Sequence, residues 1–345
     1  MSIELPVLRL GLAGFAVQQV AELDAMLRQS APGRHVWQIG PFTEADAWWL
    51  NGARTQQVRD STIRILPAIP TERSLQLNLQ EVDRPLGIAL PLAFTPSHHS
   101  YTFDPASVAS INAVLEKFEG WLQPAAAQFS LAARIIEQES VLGIGMYHVM
   151  HNGRLLAVVN MQGDIGVFAS AGPADFDDGM WVRQPTRTEI PDSFVRTTLS
   201  ELMWQYAVRT TRDLLPKRYR TGILYFRRPP RLPQRLMSDA HLLLMRELAA
   251  ASATFADLQQ RTGMPAIALS KALAALYLVG TITTNPKRAG VVSRPAPSRD
   301  EGEPSQGLQH SIVPSGLDCD SISAPQARVR KGAADFTLPM PLVRR

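Results

Sequence analysis

The chain has a single cysteine, Cys319, among its 345 residues, so no disulfide can form within it. It also lacks the basic start and apolar run of a signal peptide. No apolar segment approaches the roughly 20 residues that span a membrane. These absences favour a soluble, cytoplasmic protein that makes no membrane contact. Because Cys319 lies in a polar stretch, we expect it to be incidental rather than a nucleophile.

The motifs of common catalytic and cofactor sites are also missing. The segment GLAG at 11–14 falls short of the G-x-G-x-x-G that a dinucleotide requires. The histidine pair at 98–99 has no nearby carboxylate or cysteine to complete a metal site, and the three aspartates within 175–178 lack the twelve-position calcium loop. The sequence therefore predicts no catalytic residue, no cofactor and no metal. An enzyme whose site is assembled from distant residues stays open as an alternative.

Length and composition predict several domains. A chain of 345 residues with 45% hydrophobic and 19% charged residues is typical of two or three globular domains with ample core. We expect an α/β unit followed by α+β structure. The predicted divisions are a small α/β domain at 1–96, a central helix and antiparallel-sheet domain at 102–226, a basic Pro-rich linker at 227–237, a helical module at 238–288 and a disordered tail at 289–345.

The N-terminal pattern alternates strands and helices. A buried strand is expected at 7–15, a helix at 17–29, strands at 35–39 and 47–50, and a short helix between them. This order loosely resembles the receiver domain of response regulators. That family implies an acidic pair after the first strand and an aspartate after the third. Here Phe15 and Ala16, and then Asn51, occupy those places, so the resemblance is to a degenerate receiver without phosphoacceptor chemistry.

The central region reads as helices followed by a meander. Helices are expected from Pro105 to about residue 122 and from 124 to 139, the first capped by Asp104. Three antiparallel strands follow, the first two joined by an Asn152-Gly153 turn. Residues 171–191 read as irregular, and a long helix is expected from Asp192 to the proline at 216.

The segment from Ser238 to Arg288 carries the most informative local signals. Ser238 can cap a first helix, and Thr254 with Asp257 makes a capping pair for a second. Gly263 ends that helix, a third begins near the proline at 265, and a strand is expected at 281–284. This order, covering about 50 residues, resembles the winged helix-turn-helix family.

The third helix of this module decides between two functions. A DNA-reading helix presents polar side chains to base edges, and here only Ser270 and Lys271 are suitable. An alanine-rich helix instead allows close packing against protein. We therefore expect a non-enzymatic regulatory or scaffold protein that acts on a protein partner through this module. A DNA-binding transcriptional regulator is the first alternative.

Basic residues are concentrated just before this module. Between Arg209 and Arg235 nine basic residues face one aspartate, whereas the whole chain carries +4. The spacing of Arg227 and Arg231 resembles the cyclic di-GMP motif of PilZ domains, although the D/N-x-S-x-x-G that follows in that family is absent. A cyclic-dinucleotide effector is thus a second alternative, and pairing with an acidic surface of a neighbouring domain is a third interpretation. The candidate anion or nucleic-acid residues are Arg227, Arg228, Arg231, Arg235, Lys271, Lys287 and Arg288.

The last segment is poor in residues that build a core. From residue 289 to 345 the chain has seven prolines and one aromatic residue, Phe336. Such a composition cannot bury enough apolar surface to offset the entropy of ordering, and it predicts disorder.

Overall fold

The computed structural model describes residues 4–29, 35–59, 61–69, 73–95, 100–185 and 188–290. These residues belong to one compact unit of mixed α and β structure. The histidine pair at 98–99, Cys319 and all of the predicted tail beyond residue 290 lie outside the described residues.

The first part of the chain builds two sheets. Its helix and strands are β1 (Val7–Ala13), α1 (Val17–Gln29), β2 (Val36–Gly40), β3 (Ala47–Asn51), β4 (Thr55–Arg59), β5 (Thr62–Ile65), β6 (Leu75–Asn78), β7 (Leu86–Ala89) and β8 (Ser100–Phe103). The larger sheet is parallel throughout, in the order β2-β1-β3-β7-β8. In this arrangement, as in doubly wound sheets, the order of the strands reverses beside β1. Strands β4, β5 and β6 form a separate antiparallel sheet.

The carboxyl ends of β1 and β3 are filled by the smaller sheet. Doubly wound proteins bind ligands at this edge, where the strand order reverses. Here Gly14 has φ +80°, and a Cβ on it would lie 2.9 Å from Cγ2 of Ile65. Asn51 is buried at the end of β3, and its side chain accepts a hydrogen bond from the Ala53 N–H at 3.2 Å. The edge that usually holds a ligand is therefore occupied by protein.

The central part has one long helix and a second sheet. Its elements are α2 (Val108–Glu137), β9 (Met146–His151), β10 (Arg154–Asn160), β11 (Asp164–Phe168), α3 (Pro173–Asp177), β12 (Met180–Gln184), β13 (Phe194–Thr198) and α4 (Leu199–Arg209). The sheet is antiparallel, in the order β12-β9-β10-β11-β13. The second half of α2, together with α3 and α4, covers its buried side.

Helix α2 corrects the prediction of two separate helices. It continues through Pro124 and is capped by the hydroxyl of Ser107, which accepts from the Ser110 N–H at 3.3 Å, rather than by Asp104. Residues before Pro124, such as Phe118, pack on the parallel sheet, and residues after it, such as Phe129, pack on the antiparallel sheet. Burial on two successive cores offsets the cost of a proline inside the helix.

Two further predictions in the central part were wrong. The segment expected to be irregular contains α3 and β12. The helix expected from Asp192 begins only at Leu199, because residues 194–198 pair with β11 as the edge strand β13. Thr198 then caps α4 through a reciprocal pair with Glu201, with both bonds at 3.2 Å.

The last part of the described chain forms a helical module with three short strands. Its elements are α5 (Lys217–Thr221), β14 (Ile223–Phe226), α6 (Asp239–Ala250), β15 (Ala253–Thr254), α7 (Phe255–Thr262), α8 (Ala266–Leu278) and β16 (Ile282–Thr283). The strands pair antiparallel in the order β15-β14-β16. Local signals set the helix ends. Thr254 and Asp257 form the expected capping pair, and Gly263 ends α7 with φ +68°.

The structure places two domain boundaries differently from the prediction. Strand β8 pairs with β7, so the parallel sheet extends past residue 96. Residues 227–237 do not link two domains, because β14 before them and α6 after them share one core. That core also includes Trp204 of α4, whose indole N–H donates to the carbonyl of Leu236 at 2.9 Å. The central part and the helical module are thus joined through α4.

Candidate functional site

The basic segment at 209–235 divides into paired and unpaired residues. Three of its arginines form salt bridges with carboxylates. Arg209 contacts Asp46 at 2.5 Å, Arg212 contacts Glu4 at 2.8 Å, and Arg220 contacts Asp213 at 2.5 Å. Arg209 and Arg212 thus pair with carboxylates of the N-terminal part of the chain, whereas Arg220 pairs within the basic segment itself. The expected pairing with an acidic surface of a neighbouring domain is not seen for the four arginines of the loop at 227–235, which form no salt bridge with another described residue.

Arg227 and Arg228 lie at the carboxyl end of α8. Their guanidinium nitrogens come within 3.6 Å and 3.8 Å of the position that a Cβ on Gly280 would occupy. The N–H of Arg227 donates to the carbonyl of Thr281 at 2.8 Å. Positive charge at the end of a helix stabilises the unpaired carbonyls there. A structural role at this helix end is therefore available to both arginines without a ligand.

The other five candidate residues are distributed over three places. Lys287 and Arg288 are exposed in a turn after β16, from which the chain returns so that the Gly290 N–H donates to the Phe226 carbonyl at 2.9 Å. Arg231 is exposed in the loop between β14 and α6. Arg235, which ends that loop, and Lys271 on α8 line the same cleft. The structure thus brings together two of the seven candidates.

We call this depression the central cleft. It has a volume of about 690 Å³, and its lining includes Arg9, Asp46, Arg84, Trp121, Arg235 and Lys271. One wall consists of β1 and the loops that precede β3 and β7. The opposite wall consists of the loop before α6, the start of α6 and the first half of α8, with α2 and α4 between the walls. The cleft therefore lies at the amino ends of β3 and β7, away from the filled carboxyl edge.

Charges on the sheet wall of the cleft are paired with one another. Arg9 contacts Glu44 at 3.1 Å, and Arg84 contacts the neighbouring Asp83 at 2.8 Å while its guanidinium lies 4.6 Å from the Trp48 ring. Arg209 reaches in from α4 to Asp46. In all, five basic and four acidic side chains line the cleft. Among the described residues, Arg235 and Lys271 are its cations without a salt bridge.

A serine and a histidine lie together at the start of α6. The Ser238 hydroxyl is 2.8 Å from Nδ1 of His241, and the His241 ring lies 4.5 Å from that of Trp204. Burial, with a smaller effect from the positive charge of Arg9, lowers the pKa of His241 to about 4. A histidine with this pKa is a weak base at neutral pH, so the pair is better explained as a helix cap than as a nucleophile and base.

Helix α8 is covered along most of its length. Leu269, Leu273 and Leu276 are buried in the core of the module together with Ala272, Ala274 and Ala275, and α8 contacts α4. Ser270 is also buried. Its hydroxyl accepts from Arg220 at 2.7 Å and donates to Asp213 at 3.3 Å. Of the two side chains expected to read DNA, only Lys271 is therefore free.

Apart from Lys271, the exposed part of α8 is its first turn, which is apolar. Ile267 is 77% exposed, and Ala266 and Ala268 beside it are exposed as well. An exposed isoleucine flanked by alanines offers no hydrogen bond to a base edge or a phosphate. It offers apolar area to another protein surface.

Sequence reasoning missed the sheet wall of the cleft and Trp121. Arg9 lies within β1, Arg84 precedes β7, and Trp121 lies on α2. The sequence offered one signal for Trp121. This large aromatic residue follows Glu119 and Gly120 on a helix, so it stands out among polar and small neighbours. No local pattern relates Arg9 or Arg84 to residues 150–260 positions later.

Comparisons with known proteins identified no relative: no family model, no curated protein and no solved structure matches the chain. Within the described ranges, no three His, Cys, Asp or Glu side chains are grouped so as to hold a metal ion. None of the helices described is long and apolar enough to cross a bilayer.

Proposed function

We propose that the chain is a cytoplasmic, non-enzymatic regulatory or scaffold protein that binds a protein partner through its winged-helix-like module. The observation that carries this proposal is the exposed first turn of α8, which presents Ile267 between the exposed Ala266 and Ala268. Small side chains allow close approach of a second surface, and an exposed isoleucine supplies apolar area for it.

Site-specific photocrosslinking in the source cells tests this proposal. A photoreactive amino acid at Ile267 should give a discrete crosslinked protein, whereas the same amino acid at Glu116, exposed on α2, should not. The substitution Ile267→Asp should abolish co-purification of that protein while leaving the thermal midpoint unchanged, because the side chain is solvated. Crosslinks of equal yield at both positions, or none at Ile267, would contradict the proposal.

The geometry counts against the DNA-binding alternative. A recognition helix has to enter the major groove with several polar side chains directed at the bases. Helix α8 is flanked by α4, its Ser270 is committed to Arg220 and Asp213, and its Lys271 faces the central cleft. Titration of the protein with random duplex DNA at about 50 mM salt should show no binding. Tight binding that weakens steeply with salt would instead establish the DNA-binding function.

The cyclic-dinucleotide alternative retains one supporting observation. Arg227, Arg228, Arg231 and Arg235 are exposed and form no salt bridge with the described residues. However, Arg227 lies at the end of α8 and Arg235 lies in the central cleft. The four arginines therefore lie in different surroundings and do not form one site. Because the arginines are separated, the central cleft is a better candidate for an anion site than the Arg-x-x-x-Arg spacing.

A further inference from the structure

The central cleft has the size of a small-molecule site. Its volume of about 690 Å³ falls within the range of roughly 300–1,000 Å³ that is usual for such sites. Trp121 contributes an indole that is 45% exposed. An exposed indole at the mouth of a cleft is a stacking surface for a planar ring.

The unpaired cations of the cleft indicate an anionic group on the ligand. Arg235 and Lys271 come from different elements, the loop before α6 and helix α8, and both line the cleft. Neither forms a salt bridge with a described residue. An arginine supplies a planar fork of donors for phosphate oxygens, and a lysine supplies a mobile point charge. Both side chains can therefore donate to phosphate oxygens.

The remaining charges of the cleft limit how large this anion can be. Glu44, Asp46 and Asp83 stand on the sheet wall, and Asp239 stands at the start of α6. A nucleic-acid strand lying along the cleft would bring its phosphates close to these carboxylates, and like charges repel. A compact ligand with its charge at one end avoids them.

We propose that the central cleft binds a nucleotide, with its phosphate held by Arg235 and Lys271 and its base stacked on Trp121. The inference is independent of the proposed partner contact at Ile267, because that side chain is not part of the cleft lining. A bound nucleotide would contact the helical module through Arg235 and Lys271 and the long helix through Trp121. Binding would therefore hold these two parts of the molecule in one arrangement.

Isothermal titration calorimetry on the full chain tests the proposal with three probes, namely GMP, cyclic di-GMP and pyrophosphate. The wild-type protein should bind at least one of the two nucleotides more tightly than pyrophosphate. Arg235→Ala and Lys271→Ala should each weaken nucleotide binding about tenfold, the usual effect of losing one charge-assisted hydrogen bond. Trp121→Leu should weaken nucleotide binding about tenfold and leave pyrophosphate binding within about twofold, since only the base stacks.

Arg231→Ala is the matched control. Arg231 belongs to the same loop as Arg235, is exposed, and does not line the cleft. Its removal should leave nucleotide affinity within about twofold, which separates site binding from the general attraction of a basic loop. Three results would each overturn the proposal: no heat of binding with either nucleotide, an equal loss in Arg231→Ala and Arg235→Ala, or an unchanged nucleotide affinity in Trp121→Leu. Loss of nucleotide binding would leave the crosslink at Ile267 intact, so the two proposals fail separately.

Discussion

The hydroxyl of the buried Ser270 accepts a hydrogen bond from the guanidinium of Arg220 at 2.7 Å. The same hydroxyl donates to Asp213, which also pairs with Arg220. The Ser270 side chain, which the sequence analysis gave as suitable for contacting DNA bases, thus joins α8 to the segment between α4 and β14. The contact fixes how the module sits on α4.

We expect Ser270→Ala to lower the free energy of unfolding by about 1–2 kcal/mol, because it removes one hydrogen bond to a charged donor and one to a carboxylate. Urea denaturation measures this change. Ser252→Ala, at an exposed position after α6, should change stability by less than about 0.5 kcal/mol. If the Ser270→Ala protein were as stable as the wild type, this account of Ser270 would be wrong. It would also be wrong if the wild type bound duplex DNA and the substitution removed that binding.

Local signals predicted the elements whose ends depend on neighbouring residues. Helix α1 has the expected bounds, and the ends of α7 follow from the capping pair at Thr254 and from Gly263. These features involve residues within a few positions of one another, so a sequence pattern is sufficient to find them. In contrast, β13 was read as the start of a helix, since its strand character comes from pairing with β11, which lies 30 residues earlier along the chain.

The candidate site could be predicted only in part for the same reason. Arg235 and Lys271 were identified as exposed basic residues of the C-terminal region. The wall that faces them comes from β1 and the loops before β3 and β7, and Trp121 comes from α2. Packing of α4 against both α2 and α8 brings these parts together. A sequence pattern does not reveal such a contact, because the contact arises only when the elements pack together.

His241 predicts how stability depends on pH. Its folded-state pKa of about 4 lies below the value of 6.5 that it has when unfolded. The unfolded chain therefore takes up a proton before the folded protein does. The stability that neutral His241 contributes is complete above about pH 6.5 and is lost as the pH falls towards 4. The loss amounts to about 3 kcal/mol over this range.

Urea denaturation at pH 7 and pH 4.5 measures this effect in a His241→Gln variant. The variant should be less stable than the wild type at pH 7, because it disturbs the packing on Trp204. Its further loss on acidification should be smaller than that of the wild type. His151→Gln, at the end of β9, is the control for replacing a histidine elsewhere in the chain. An equal acid-induced loss in wild type and His241→Gln would show that His241 does not cause it.

Two glycines of the first half of the chain predict opposite effects of the same substitution. A Cβ on Gly52 would lie 2.3 Å from the carbonyl oxygen of Ala89 and 2.7 Å from that of Pro91, both of which are backbone atoms. We expect Gly52→Ala to cost about 2–4 kcal/mol, since the backbone has to move. Gly120 lies within α2, where a Cβ meets nothing within 4 Å. Gly120→Ala should raise stability by about 0.5–1 kcal/mol.

Thermal unfolding of the two variants measures both effects. The sign of the difference is the decisive result, because each variant adds the same methyl group to a glycine. A Gly52→Ala protein with the wild-type midpoint would mean that the approach of Ala89 and Pro91 is looser than the structure shows.

Arg209 and Arg231 belong to the same basic segment, and the structure predicts that only the first stabilises the fold. The guanidinium of Arg209 lies 2.5 Å from Asp46, and the two side chains are only 16% and 11% exposed. Asp46 also accepts a hydrogen bond from the Arg9 N–H at 2.9 Å. Arg209→Ala would leave this nearly buried carboxylate with one charge-assisted partner fewer, at a cost of about 2–4 kcal/mol.

A double-mutant cycle with Asp46→Asn separates the pair from the total charge. Arg209→Ala should be less costly in the Asp46→Asn background, because the carboxylate left without its partner is then absent. Arg231→Ala lowers the positive charge by the same amount and should change stability by less than about 0.5 kcal/mol in either background, because it breaks no salt bridge. Salt at 1 M should leave the Arg209 effect largely intact, since screening acts weakly on a nearly buried pair. If the two arginine variants lost the same stability, the basic segment would act through its net charge, and the division into structural and free arginines would be wrong.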